Sequence, residues 1–164
     1  MARRAGLPLA STTYYFSSLD DLIVKAVEYE GSREAERLQQ RVAALSRRRR
    51  GAEATADVLV DLLLGDAPGT RGGEELISRY ERYIACARQP ALRDAQRRIL
   101  RQRTDAVVAV MERSGRTVRA DFLTALVCAV DGAVVAALVG DGDGPRATAR
   151  ATLIDVIDVL APVG

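Results

Sequence analysis

The sequence predicts an all-α protein, and three observations support that fold class. Over nearly the whole chain, apolar residues recur at intervals of three and four, which places them on one face of a helix. Glycine and proline stand where such segments would end or begin, as at Gly115 and Pro90. Short alternating segments bounded by turn residues, which would indicate strands, are almost absent. We therefore expect a series of packed helices.

The first element predicted is a short helix after a tight turn. Gly6 suits the turn that ends a helix, and Pro8 is tolerated in the first turn of the next one. Between this joint and Ser18 there is room for about two helical turns. Their outer face carries mainly hydroxyl groups, and Phe16 is the expected inward anchor.

A long second helix is predicted from Ser18 to about Ser46. Ser18 and Asp21 have the spacing of a helix-capping pair at its start. Gly31 is expected to weaken its middle, and the run of arginines from Arg47 to Arg50 is expected to close it. We favour a solvated turn for this run, with a nucleic-acid patch as the alternative. The expected apolar stripe consists of Leu22, Ala26, Tyr29, Ala35, Leu38, Val42 and Leu45.

Five further helices follow from the same spacing. A loop with several glycines, from Gly65 to Gly73, separates the first two of them. The predicted helices are Ala52 to Leu64, Glu74 to Arg88, Pro90 to Ser114, Phe122 to Val139 and Pro145 to Leu160.

The segment from Phe122 to Val139 is the most apolar part of the chain and is nearly long enough to span a bilayer. Asp131 at its centre would be costly in a membrane, so we favour a buried helix. This segment and the one from Pro145 to Leu160 have more apolar surface than a small monomer needs to bury. A twofold interface would cover the surplus, so we predict a homodimer through these two helices and no membrane partner.

Composition narrows the class of function. The chain of 164 residues has 48% hydrophobic and 28% charged residues, and its net charge of +2 is too small for general nucleic-acid binding. A secretion signal is not evident, which predicts a cytoplasmic protein. The chain has no histidine, and Cys86 and Cys128 are far apart, so no metal, disulfide or cofactor is expected. An enzyme is poorly supported, although a site built from carboxylates alone stays open.

The residues from Ala5 to Leu22 resemble the DNA-binding region of the TetR family of bacterial transcriptional regulators. They follow the family's order of an Ala-Gly turn, a short variable stretch, aromatic residues before Phe16 and a capped helix. Leu19 departs from it, because the family usually has a phosphate-contacting lysine there, and Thr13 replaces a usual tyrosine. Packing of a small helix is the alternative role of the aromatic residues. The resemblance implies contacts to DNA by Pro8, Leu9, Ala10, Ser11, Thr13, Tyr14 and Tyr15.

The resemblance also implies a domain organisation and a mode of regulation. Residues 1–46 would be a partial helix-turn-helix and connecting helix, and residues 47–164 a helical ligand-binding and dimerisation domain. A small-molecule effector would bind among the central helices and release a repressor from its operator. Candidate ligand-binding residues are Tyr80, Tyr83, Cys86 and Asp131, since amphipathic aromatic groups and a few polar groups typify pockets. Core packing or exposure on a helix surface is the alternative for each of them.

The motif starts almost at Met1, so this sequence lacks the first helix and most of the second helix of a helix-turn-helix domain. Such a reading head lacks contacts that position it on DNA, and the chain as written is expected to bind DNA weakly and without specificity. The alternative function is a helical dimerisation or ligand-binding module that does not bind DNA. An operator partner is expected if the native protein has a complete N-terminus.

Overall fold

The computed structural model describes residues 16–65 and 69–164, with the backbone alone for residues 69–72. Within these ranges the chain forms α-helices and no strand, which confirms the all-α fold class. A single 3₁₀ turn, Pro90–Leu92, leads into the fourth α-helix. The α-helices are α1 Leu19–Ala44, α2 Ala52–Leu64, α3 Gly69–Arg88, α4 Arg93–Arg113, α5 Ala120–Ala137 and α6 Gly144–Leu160.

The start of α1 is capped as its sequence predicts. The Ser18 Oγ accepts a hydrogen bond from the Asp21 backbone N–H at 3.0 Å. The Asp21 carboxylate in turn accepts from the backbone N–H of Ser17 at 3.0 Å, one residue before the position that a standard capping box uses. The first bond satisfies a donor that the first helical turn leaves free, and the second ties the residue before the N-cap to the helix.

The buried face of α1 differs from the predicted one in its first half. Ala26 and Tyr29 are exposed. The helix packs against α4 so closely at Gly31 that a Cβ there would lie 2.6 Å from the Ile99 Cγ1. Gly31 does not interrupt the helix; it is the contact point that sets which face is buried. The buried residues of α1 are Val27, Gly31, Ala35 and Leu38.

The first long helix ends close to its predicted limit, and the arginine run after it is exposed as expected except at Arg50. The helix ends at Ala44, and the run lies in an irregular segment in which the Arg48 and Arg50 backbone N–H groups donate to the carbonyls of Arg113 and Ser114 at 2.9 and 3.1 Å. Arg50 is buried, and its guanidinium donates to the Arg113 carbonyl at 3.1 Å. Backbone carbonyls at the end of α4 thus hold Arg50, so only the other three arginines are exposed.

The loop predicted from Gly65 to Gly73 is shorter than expected. Gly65, with φ of 81°, ends α2, and α3 already begins at Gly69. Glycine costs up to about 1 kcal/mol per residue in a helix interior, but tertiary packing overrides such a preference. Leu76 of α3 is buried in the main core, which anchors the helix that these glycines begin.

The main core lies between α2, α4, α5 and α6. The last two helices pack closely and run antiparallel, as the short connection between them requires. Leu38 of α1 and Leu76 of α3 join this core from the side. Its largest fully buried side chains include Leu59, Val107, Met111, Leu126, Leu153 and Ile157.

Helix α5 is buried on one face only, so the expectation of a buried helix was half right. Its large inward residues are Leu123, Leu126, Val130 and Val134. On the other side, Val135 is 46% exposed, and Val139 just after the helix is 88% exposed. Among the described residues, α5 is the one helix that is long and apolar enough to cross a membrane, judged by length and composition only.

Candidate functional site

Five charged side chains meet where α1, α3, α4 and α5 come together. All of them are largely shielded from solvent, and the Arg103 side chain is only 4% exposed. We call this group the arginine cluster; it consists of Glu34, Arg79, Arg82, Arg103 and Asp131.

Glu34 of α1 is the carboxylate that the three arginines share. Its Oε2 accepts a hydrogen bond from the Arg82 Nη2 at 3.2 Å. Its Oε1 lies 3.9 Å from the Arg103 Nε and 4.0 Å from the Arg79 Nη2, too far for hydrogen bonds. Electrostatic contacts through this one carboxylate therefore link α1 to both α3 and α4.

Two tyrosines extend the cluster towards α5. The Tyr80 hydroxyl donates to the Asp131 Oδ1 at 2.9 Å, and the Arg103 Nη2 lies 3.8 Å from the same oxygen. The Tyr83 hydroxyl accepts a hydrogen bond from the Arg103 Nη1. The two rings pack edge to face with their centroids 5.6 Å apart. Three of the four predicted ligand-binding residues thus lie together.

The buried environment changes the protonation equilibria of the cluster. Burial raises the pKa of Tyr80, and the neighbouring Asp131 carboxylate raises it further. Burial also raises the pKa of Tyr83, so both phenols stay protonated in neutral solution. Burial opposes the charge on Arg103, but Tyr83, Asp131 and Glu34 together outweigh it and raise the pKa of Arg103.

The cluster has more positive than negative charge. Three guanidinium groups face two carboxylates, which leaves one excess positive charge in a poorly solvated place. The Arg82 Nε is buried and has no hydrogen-bond partner among the described residues. A buried donor without an acceptor is costly, so this position is suited to an additional acceptor.

A cavity of about 520 Å³ adjoins the cluster between α1, α2 and α3. Its volume is in the range of small-molecule sites. Glu34, Arg79 and Arg82 form part of its wall, so it connects directly to the arginine cluster. The other charged lining residues are Glu30 and Arg37, which form an ion pair of 2.9 Å, and Arg41, Glu74 and Glu75. Leu38, Leu62 and Leu64 are the apolar part of the lining, and the excess positive charge belongs to the arginine cluster and not to the cavity wall as a whole.

Cys86, the fourth predicted ligand-binding residue, lies elsewhere. It is 1% exposed and packs in a small apolar cluster with Val27, Leu92, Ala95 and Ile99. Burial raises the pKa of its thiol, which disfavours the reactive thiolate. The cavity lining does not include any of the four predicted ligand-binding residues, Tyr80, Tyr83, Cys86 and Asp131. The arginine cluster connects the two tyrosines and Asp131 to the cavity, because its members Arg79 and Arg82 line the cavity wall.

Sequence reasoning missed Glu34 and all three arginines. One signal was present in α3, where Arg82 and Tyr83 follow Arg79 by three and four residues and therefore occupy the same side of the helix as Arg79. The other was Arg103, which stands four residues after Ile99 on the apolar face of α4. A charged residue at a core position of a helix indicates a buried partner.

The predicted DNA-contacting residues from Pro8 to Tyr15 lie outside the described residues, whose first helix is α1. In the ranges 16–65 and 69–164, there is no group of three or more carboxylate or thiol side chains that could hold a metal ion.

Residues 50–159 match the family model described as the tetracyclin repressor-like, C-terminal domain. The matched region begins just before α2 and ends within the last turn of α6, so it contains two of the three helices around the cavity. No curated protein and no solved structure matches the chain.

Proposed function

Because this chain belongs to the TetR family of regulators, we propose that it is a DNA-binding transcriptional repressor that leaves its operator when a small molecule binds. Regulators of this family are generally non-enzymatic, soluble cytoplasmic proteins. We extend both properties to this chain.

The observation that carries the proposal is the position of α1 in the wall of the cavity. Glu30, Glu34 and Leu38 of this helix line the cavity. Its first residue, Leu19, comes four positions after Tyr15, the last of the proposed DNA-contacting residues. A ligand that prefers one position of α1 would therefore change the population of DNA-binding states.

The proposed contacts follow from this arrangement. Pro8, Leu9, Ala10, Ser11, Thr13, Tyr14 and Tyr15 would contact the operator. The ligand would be affected indirectly by Tyr80, Tyr83 and Asp131. Tyr83 and Asp131 contact Arg103, Tyr80 contacts Asp131, and together they position the arginine cluster. Cys86 packs in a separate apolar cluster, so we assign it a packing role.

We further propose a homodimer formed by α5 and α6. The exposed face of α5 consists of small or apolar side chains, and Gly132 is exposed on it. A Cβ on Gly132 would meet no atom within 4 Å, so the fold of one protomer does not require glycine there. Small residues permit the close approach of a partner helix. The exposed α5 residues include Ala125, Cys128, Gly132, Val135 and Ala136.

Selection of bound sequences from a random duplex DNA pool tests the function, with the protein purified as its own host makes it. A repressor of this kind should enrich an inverted repeat, because a twofold dimer places two reading helices on matching half-sites. Fluorescence anisotropy should then give at least a hundredfold preference for that sequence over a scrambled duplex. Enrichment of no sequence would contradict DNA-binding regulation and favour the dimerisation or ligand-binding module.

A further inference from the structure

We propose that the cavity accepts a small organic monoanion, and that this anion competes with Glu34 for the guanidinium groups of Arg79 and Arg82. The inference rests on the proposed function, since it names the chemical class of the effector and the contact through which the effector would act on α1.

The first argument is the charge of the arginine cluster. Its single excess positive charge is shielded from solvent, where an uncompensated charge is costly. The buried Arg82 Nε adds a donor that no described group accepts. With Glu34 still close by, a ligand carboxylate would offset the excess positive charge and would accept a hydrogen bond from the Arg82 Nε. A cation would add to that charge and would leave the Nε donor unsatisfied.

The second argument is that Glu34 holds the arginines loosely. It makes one hydrogen bond at 3.2 Å, and its other two contacts are at 3.9 and 4.0 Å. The shortest described bond of Arg79 goes instead to the Leu63 carbonyl at 2.6 Å. Carboxylates bind guanidinium groups best through two parallel bonds, and Glu34 does not achieve this with any of them. A mobile ligand carboxylate can reach the better geometry.

The third argument concerns the rest of the ligand. Leu38, Leu62 and Leu64 contribute apolar side chains to the cavity lining. They would contact a hydrocarbon portion attached to the anionic group, and burial of that portion adds binding free energy in proportion to its area. The chemical class is therefore an amphipathic organic acid rather than an inorganic anion.

Competition with Glu34 would link binding to α1. With the arginines paired to the ligand, the Glu34 carboxylate loses its hydrogen bond from Arg82, and α1 loses electrostatic contacts to α3 and α4. The ligand would therefore bind more tightly to the state in which α1 is released from Arg82 and Arg103 than to the state in which Glu34 contacts them. A conformational shift requires such a difference in affinity between two states.

Titration calorimetry of the full chain with hexanoate, hexanamide and hexylammonium tests the ligand class. These probes share one hydrocarbon tail and differ in the charge of the head group. Hexanoate should bind at least tenfold more tightly than either of the others. Equal or tighter binding of hexylammonium, or no binding of hexanoate, would overturn the inference.

Two variants test the competition because they should act in opposite directions. Arg82→Gln should weaken hexanoate binding at least tenfold. Glu34→Gln should strengthen it about threefold or more, since the competing carboxylate is gone. Arg101→Gln and Glu36→Gln make the same charge changes at exposed positions of α4 and α1 and should leave the Kd unchanged. Weaker or unchanged binding by Glu34→Gln would overturn the competition.

Amide hydrogen exchange adds a readout at α1 itself. Hexanoate should speed exchange around residue 34, and Glu34→Gln should show the faster exchange without hexanoate. If Glu34→Gln does not fold, Glu34→Asp, whose shorter side chain pairs less well, should bind hexanoate more tightly than the wild type. Failure of these tests leaves the DNA selection experiment unaffected, so the ligand class and the regulatory function can fail separately.

Discussion

Arg116 shows how one buried charged residue organises the end of the molecule opposite the α5–α6 connection. Its guanidinium donates to the Asp158 carboxylate at 2.7 Å, the Ala161 carbonyl at 2.8 Å and the Thr55 Oγ1 at 3.2 Å. It thereby joins the segment after α4 to both α2 and α6. The side chain is only 1% exposed, and the bonds to Ala161 and Thr55 are buried.

We expect Arg116→Ala to lower the free energy of unfolding by about 2 kcal/mol or more, because it leaves buried acceptors without a charged donor. Arg97→Ala is the control, since it removes an exposed ion pair with Asp94 and should cost about 0.5 kcal/mol or less. Urea denaturation of both variants measures the difference. Equal losses would contradict the structural role of Arg116.

Tyr80 should make stability depend on pH in alkaline solution. Burial and the Asp131 carboxylate raise its pKa in the folded protein, whereas the unfolded tyrosine ionises near pH 10. The contribution of Tyr80 to the free energy of unfolding is therefore fully present below about pH 10. It is lost as the pH rises towards the pKa of Tyr80 in the folded protein, because the unfolded chain then binds fewer protons than the folded chain.

Urea denaturation at pH 8.5 and pH 10.5 checks this expectation. The wild type should lose stability between the two conditions, and Tyr80→Phe should lose less because it has no phenol to ionise at this site. Tyr29→Phe is the matched control, since Tyr29 is 66% exposed. A pH-dependent loss as large in Tyr80→Phe as in the wild type would contradict the proposed environment of Tyr80.

At the scale of elements, the packing of α1 on α4 depends on Gly31. A Cβ at this position would lie 2.6 and 2.7 Å from two side-chain atoms of Ile99, which is itself buried. A glycine in a helix costs stability by its backbone freedom, so its presence here reflects the close approach of the two helices. Arg98 and Glu28 flank the contact with an ion pair of 2.8 Å.

Gly31→Ala should therefore destabilise the protein by about 1 kcal/mol, although alanine is the better helix former, because the added methyl group overpacks the contact. Ile99→Val in the same chain should recover part of the loss, since it removes a Cδ1 atom that clashes. A double-mutant cycle measures this coupling. Ser32→Ala, at the exposed neighbouring position, should change the unfolding free energy by less than about 0.5 kcal/mol.

At the scale of the whole molecule, the proposed dimer explains why α5 has an apolar face on each side. One face fills the core of the protomer, and the other presents Cys128 and Gly132 to solvent. Scattered apolar surface is ordinary on a monomer, but a continuous face along one helix is typical of an interface.

Gly132→Leu should dissociate the dimer, because a large side chain would block close approach of the partner helix. The helical circular dichroism should be unchanged, since the position is open in one protomer. Sedimentation equilibrium measures the association. Asp141→Leu, at an exposed position in the loop after α5, adds the same side chain and should leave the dimer intact. Wild-type association of Gly132→Leu would contradict this interface.

Periodicity by itself determined the all-α class and the approximate limits of the helices, since an apolar repeat at three and four residues is a local property. Capping at Ser18 and termination at Gly115, with its φ of 71°, were predictable for the same reason. The aromatic motif before Phe16 indicated the family, and the match over residues 50–159 agrees with it.

Tertiary structure decided the rest, because it depends on which helices meet. The buried face of α1 follows from the approach of α4 at Gly31, which no spacing within α1 reveals. The arginine cluster draws its members from α1, α3, α4 and α5, and Glu34 and Arg103 are 69 positions apart in the chain. The sequence shows that Glu34 and Arg103 are charged, but only the packing of the helices brings them into one buried site.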